Sequence, residues 1–204
     1  MDKIIIGITG GIASGKSSFL SFLKKYRFKT LSADEIVSSL YKKDGLGYKA
    51  LKALRIKGTF DSDGNLNKKK VRDLIFRNKT IRNRVEKVIH PLVIKEIKDF
   101  IKGVPKGSLA CVEIPLLFEA DKQELCTYTA TIYTPETQMI KTLRERYSIS
   151  AKEAEKMLGT HMDITQKMMR SDIVIFNTGS LKTLQDKAGK LAVVLNKIRG
   201  VNKK

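Results

Sequence analysis

A chain of 204 residues is long enough for one well-buried core with small lobes attached. Its formal net charge of +19, from 40 Lys and Arg against 21 Asp and Glu, has two readings: a polyanionic partner, or lysine-rich helix faces in water. The basic residues are spread along the chain without interleaved aromatics, so no nucleic-acid partner is expected. No apolar run approaches the roughly 20 residues of a membrane span, so no membrane association is expected.

Met1-Asp2-Lys3 runs straight into a short strand, and no secretory leader is expected. The strand, Ile4 to Thr9, leads into Gly10-Gly11-Ile12-Ala13-Ser14-Gly15-Lys16-Ser17, a G-x-x-x-x-G-K-S run. It leaves through an amphipathic helix with Phe19, Phe22, Leu23 and Tyr26 on one face. Such a loop wraps its N–H groups around a polyphosphate, aided by the positive end of the helix. Gly11, Ile12, Ala13, Ser14, Gly15, Lys16, Ser17 and Ser18 are therefore the candidate ATP-binding residues. Lys16 would reach the β- and γ-phosphates, and the Ser17 hydroxyl would ligate Mg²⁺. The alternative is a glycine-rich turn, which does not account for strand, Lys, Ser and helix being in place together.

The second strand, Phe28 to Ser32, ends just before Asp34. At the carboxyl edge of a parallel sheet a carboxylate can accept a proton from an attacking hydroxyl or hold Mg²⁺ through water. Equally, Asp34 reads as the N-cap of a helix bearing Ile36, Val37, Leu40 and Tyr41. About 75 residues then separate strands two and three, too many for one crossover helix. They carry a turn at Asp61-Ser62-Asp63-Gly64 and helical patterns that include Val71, Leu74 and Ile75.

Strand three is Leu109 to Ile114, with Cys111 as a small core residue. Cys111 and Cys126 form no C-x-x-C pair, which suits a reducing, cytoplasmic setting. Strand four, Ala130 to Tyr133, is followed by Thr134 as cap and Pro135 as first helical residue. A segment rich in Lys, Arg and Met follows, in which Ser150-Ala151-Lys152-Glu153 reads as a capping box. Strand five is Ile173 to Phe176. The last helix carries Leu181, Leu184, Leu191, Val194, Leu195 and Ile198 on an apolar face, and Lys203-Lys204 reads as a disordered tail. Short apolar strands alternating with helices give a doubly wound α/β fold with a parallel sheet covered on both faces.

The ordered set of the glycine-rich loop, Ser32-Ala33-Asp34, Ile89-His90-Pro91, Ile114-Pro115-Leu116-Leu117-Phe118-Glu119, Ser171-Asp172 and Asn177-x-Gly179 resembles the dephospho-CoA kinase family over nearly the whole chain. The resemblance implies a P-loop kinase fold with a five-stranded parallel sheet. It implies transfer of the γ-phosphoryl of ATP, with Mg²⁺, to the ribose 3′-hydroxyl of dephospho-CoA. It further implies a nucleotide core in residues 1–36, 105–140 and 171–204, an acceptor lobe in 37–104 and a lid in 141–170. Asp34 falls on the family's base. His90, Leu116, Leu117, Phe118 and Glu119 fall on acceptor contacts, Arg146 on a lid Arg that neutralises transferring charge, and Asn177 and Gly179 on an adenine loop. Each keeps a plainer reading: a helix-boundary histidine for His90, a solvated carboxylate for Glu119, and solvated helix faces for Arg146 and its neighbours Lys141 and Arg144. Glu113 stands where the family commonly has Asp, with a water-mediated Mg²⁺ role or a strand-end capping role.

Departures are visible as well. Ser32 replaces the first Asp of a D-A-D motif, His161 replaces a lid Gln, Ile94 replaces an Arg, and Leu66-Asn67-Lys68 stands for L-D-R. His161 follows Met157 by four and Leu158 by three, a spacing that also suits simple packing on a helix. Two other functions share these features: a nucleotide or small-metabolite kinase of the same fold, and a P-loop nucleic-acid-binding protein. The long second insert and the P-L-L-F-E run favour dephospho-CoA as acceptor.

Overall fold

The computed structural model describes residues 3–201. The expectations for Met1-Asp2 and for the Lys203-Lys204 tail lie outside the described residues. In chain order the first elements are β1 (Ile4–Gly10), α1 (Lys16–Lys25), β2 (Lys29–Leu31), α2 (Ala33–Leu40), α3 (Leu46–Ala53), α4 (Lys68–Arg77) and α5 (Lys79–Gly103). Then follow β3 (Leu109–Glu113), a 3₁₀ turn (Gln123–Leu125), β4 (Tyr128–Tyr133), α6 (Glu136–Tyr147), α7 (Ala151–Leu158), α8 (Ile164–Arg170), β5 (Ile173–Phe176) and α9 (Leu181–Val201). The chain divides into two units, 3–32 with 101–201, and Ala33–Phe100.

The first unit is built on one parallel sheet in the order β2-β3-β1-β4-β5. Every residue of β1 and of β3 is buried, which is why both read as continuous apolar runs rather than alternations. Ile6, Ile8, Phe19, Leu23, Ala130 and Ile132 form its centre, closed by Leu184, Ala188, Leu191 and Leu195 of α9. At about 25 cal/mol per Å² of apolar surface, such a core is the dominant favourable contribution to folding this unit. With β1 central, the chain passes from β1 to β2 on one side and from β3 across β1 to β4 on the other, so the carboxyl end of β1 lies at the switch point where α/β sheets bind ligands.

Three local expectations are corrected here. Tyr26 is 42% exposed and sits at the C-cap of α1, so the core face of that helix ends at Leu23. In α9, Leu181 and Val194 are 63% and 52% exposed; the stripe that meets the core is Leu184, Ala188, Leu191 and Leu195, narrower than the apolar count suggests. Pro135 is the N-cap of α6 rather than its first residue, and the Thr134 hydroxyl donates to the Ser14 carbonyl instead of capping a helix.

The second unit is helical. Leu51, Val85 and Ile89 form its buried centre, with Tyr41, Leu54, Phe60, Leu66 and Ile81 packed around them. Burial pushes the Tyr41 hydroxyl up to about 12. The Asp61–Gly64 turn closes an antiparallel bridge between Phe60 and Leu66, with the Asp61 carboxylate accepting from the N–H groups of Asp63 and Asn65. Asn67 caps α4 by accepting from the Lys70 N–H, a task Asn performs as well as Asp. Thus the Asn67 departure keeps its local structure. His90 is not at a helix boundary: α5 continues for 25 residues through Pro91, which lacks only one ladder donor, so His90 sits in mid-helix.

Candidate active site

β1 delivers the chain to the loop through Gly10, whose φ of +150 and 2.5 Å clearance from the Ile132 carbonyl to a built Cβ leave no room for a side chain. Gly15, at φ +91, turns the chain into α1 as its N-cap. Between them, the Ser14 carbonyl accepts from the Thr134 hydroxyl at 2.9 Å and from Asn177 Nδ2 at 3.0 Å. The loops after β4 and β5 therefore hold the glycine-rich loop in place. No side chain caps α1, and its first turn carries no acidic residue, so its positive end is left for an anion. The Ser14 side chain is fully buried, and its hydroxyl has no hydrogen-bond partner among the described residues.

Lys16 is 9% exposed, and its ammonium donates to the Gly11 carbonyl at 2.8 Å and to that of Gly10 at 3.3 Å. It lies against the loop that would wrap a polyphosphate. The adjacent Ser17 is exposed, with its hydroxyl 3.5 Å from Glu113 Oε1. Glu113, at the end of β3, is 2% exposed and accepts from the Ser32 hydroxyl at 2.8 Å. Hydroxyl and carboxylate oxygens side by side at a phosphate loop are the hard donor set that Mg²⁺ takes, together with phosphate oxygens and water. The residues present fit that ion.

The turn after β3 departs from the sequence expectation. Leu117 is fully buried and Phe118 is 3% exposed, so these two side chains are core residues; Leu116 is half-buried. The Arg170 guanidinium lies over the Phe118 ring at 4.8 Å. Glu119 is not a solvated carboxylate either. Its Oε1 pairs with Lys167 Nζ at 2.8 Å, accepts from the Met162 N–H at 3.1 Å and lies 3.9 Å from His161 Nδ1. Lys167 has no exposed surface and also donates to the Pro115 carbonyl at 2.8 Å. Burial lowers its pKa, and the bond and charge of Glu119 oppose that shift.

α6 carries Arg146 and Arg144 in its last turn and Lys141 before them, all exposed, with Arg146 stacked 5.5 Å over Tyr147. The Ser150–Glu153 capping box opens α7 as expected, and Asp163 caps α8. His161 lies beyond the end of α7, so its spacing from Met157 and Leu158 is not a helical face. Asn177 spends its side-chain amide on the loop, and Gly179 packs near Thr183. In the second unit, Asp34 is the second residue of α2 rather than its N-cap, and His90 is half-buried on α5.

Sequence reasoning left the role of Glu113 open, read Thr134 only as a helix cap and missed Lys167. A Glu closing an apolar strand beside a P-loop was the usable signal for Glu113. A lysine amid Gln166, Met168 and Met169 gives no sign that it is buried.

A glycine-rich loop with a buried lysine, at the switch point of a five-stranded parallel sheet, defines a nucleotide-binding protein of the P-loop kinase class. The family model described as Dephospho-CoA kinase matches residues 4–183. A dephospho-CoA kinase of Lactobacillus johnsonii is 32% identical over 189 residues, covering 91% of this chain and 95% of its own. Among solved structures, TT1252 from Thermus thermophilus superposes with a TM-score of 0.75 at 26% identity, over 96% of this chain and 98% of its own. The dephospho-CoA kinase from Campylobacter jejuni gives 0.65 at 26% identity, over 98% and 99%. The chain belongs to the dephospho-CoA kinase family.

Proposed function

We propose that this protein transfers the γ-phosphoryl group of ATP to the ribose 3′-hydroxyl of dephospho-CoA, giving ADP and CoA. The observation that carries the reading is the loop of Gly10 to Ser17, braced by Thr134 and Asn177 and flanked by Glu113, in a chain matched to the family over residues 4–183. Phosphoryl transfer of this kind is mainly positioning and charge stabilisation. Loop N–H groups and the α1 terminus bind the polyphosphate. Lys16 exchanges its Gly10 and Gly11 carbonyls for phosphate oxygens, and its charge stays on the group in transit.

Mg²⁺, when bound, neutralises phosphate charge and would be held by Ser17 directly and by Glu113 directly or through water. Asp34 accepts the proton of the attacking hydroxyl. Residues 37–104 form the acceptor lobe, in which His90 contacts the substrate, with Leu116 contributing from the turn after β3. Residues 141–170 form the lid, which brings Arg146 to the phosphates and excludes water. Within it, α8 is tied down through Lys167 and Arg170, so closure falls to the end of α6 and to α7.

No helix among the described residues is long and apolar enough to cross a membrane. Cys111 and Cys126 are free, as in a reducing, cytoplasmic setting, and burial raises both thiols, Cys126 to about 12. The test is ADP release with Mg-ATP and dephospho-CoA, AMP, CMP or shikimate offered side by side. The proposal requires dephospho-CoA to be the efficient acceptor; preference for AMP or CMP overturns it.

A further inference from the structure

A cavity of about 170 Å³ opens beside the start of the phosphate loop, lined by Gly11 and Ile12, by Glu136 of α6, and by His161 and Asp163 of the α7–α8 connection. A carboxylate stands behind His161. Glu119 Oε1, 3.9 Å from His161 Nδ1, is itself fixed by the buried Lys167 ammonium at 2.8 Å and by the Met162 N–H at 3.1 Å. The His161 N–H donates to the Leu158 carbonyl at 3.1 Å, which fixes the main chain as well. An imidazole braced at a carboxylate on one side and bordering a phosphate loop on the other is placed to meet an anion in the cavity.

We propose that His161 is a phosphate-contacting residue of this enzyme, and that its protonated form adds a positive charge beside the group transferred at the Gly11–Ile12 end of the loop. This rests on the phosphoryl-transfer reading of the same site. The charged groups around it have opposing effects. Glu119, from the turn after β3, favours the imidazolium, as do the carboxylates of Glu136 and Asp163 across the cavity. Lys167 of α8, behind Glu119, and Lys16, on the Gly11 carbonyl, oppose it. An incoming nucleotide supplies the decisive charge: its phosphates meet two carboxylates at the cavity wall, and the imidazolium offsets them. Histidine changes charge near neutral pH, so this contribution is present at low pH and lost as pH rises. Asp163 already accepts from the Thr165 and Gln166 N–H groups, so its charge is partly satisfied within α8.

The test compares the wild type, His161→Gln and His161→Ala in kcat and KM for ATP from pH 5.5 to 8.5, with dephospho-CoA as acceptor. Titration of ATP itself is common to all three and cancels in ratios. A buried oxyanion donor is worth about 100-fold or more; for a side chain 23% exposed, about tenfold is expected. The kcat/KM ratio of wild type to His161→Gln should fall about tenfold between pH 6 and pH 8, with His161→Ala below His161→Gln throughout. A ratio independent of pH overturns the proposal while leaving the kinase reading intact; a wild type without dephospho-CoA activity overturns the reading beneath it. A second readout needs no turnover. The chain has two histidines, His90 and His161, so their ring-proton NMR titrations can be assigned with the two variants. Mg-β,γ-imido-ATP should raise the midpoint of His161 and leave that of His90 in place; an unmoved His161 contradicts the proposal.

Discussion

Replacing Lys167 by Met removes an ammonium that has no exposed surface and leaves two acceptors behind, the Pro115 carbonyl and Glu119 Oε1, each 2.8 Å from Nζ. Removing one partner of a buried pair commonly costs 3–5 kcal/mol, because the other charge is left uncompensated. Here Glu119 is 21% exposed and keeps the Met162 N–H, so about 2–3 kcal/mol is expected. For a chain of this size that is a fall in Tm of roughly 5–10 °C, read from a circular-dichroism melt in the transition of the first unit.

The intact pair is not thereby a large stabiliser. The lowered pKa of Lys167 means that desolvation outweighs the attraction of Glu119. Lys167→Met with Glu119→Gln should therefore recover most of the loss, because no charge is then left buried. The sign with pH follows the same shift. Between its lowered folded value and the ordinary 10.5, the unfolded chain holds a proton that the folded one has lost. Stability of the wild type relative to Lys167→Met should consequently rise with pH through that window. A single variant as stable as the wild type, or a double variant less stable than the single, would refute this account of the cluster.

Three further outcomes are expected. Asp34→Asn should lower turnover by about 100-fold with little change in MgATP affinity; a parallel collapse of ATP binding would make Asp34 a metal-water ligand instead. Glu113→Gln keeps the size of a buried side chain that accepts from Ser32, and should raise the half-saturating Mg²⁺ concentration about tenfold; an unchanged requirement removes Glu113 from the ion's surroundings. Asp172 accepts from the Thr129 N–H at 2.7 Å and hydroxyl at 2.8 Å, and these bonds, the backbone one first, hold its pKa below the ordinary 3.8. Its contribution is thus complete above that value and lost as pH falls through the lower folded one. Asp172→Asn, exposed as it is, should cost about 1 kcal/mol at pH 6, with the gap to wild type closing in acid.

The parallel sheet was legible because its strands are short apolar runs at regular breaks, and β5 lies where Ile173 to Phe176 placed it. The glycine-rich loop was legible because its spacing is dictated by phosphate geometry. What stayed hidden depends on burial at a distance along the chain. Leu117 and Phe118 belong to a motif run, but the turn after β3 folds them inward. Glu119 and Lys167 meet across 47 intervening positions, and no local pattern marks a lysine whose partner is a turn carboxylate. Pro91 suggested a boundary at His90, yet a helix of 25 residues tolerates one lost donor when its flanks are packed. The resemblance alone places Asn177 in an adenine loop; that its amide also braces Ser14 is a contact only the fold could bring within 3.0 Å.

The most direct measurement identifies the product. Mg-ATP and dephospho-CoA are incubated with the wild type and with Lys16→Ala, and the acceptor is followed by mass spectrometry and ³¹P NMR. The account predicts one ADP per CoA formed, the new phosphate on the ribose 3′ position, and a rate at least about 100-fold lower for Lys16→Ala, equivalent to about 3 kcal/mol of transition-state stabilisation. ADP release without a 3′-phosphorylated product, or near-normal turnover of Lys16→Ala, would contradict it.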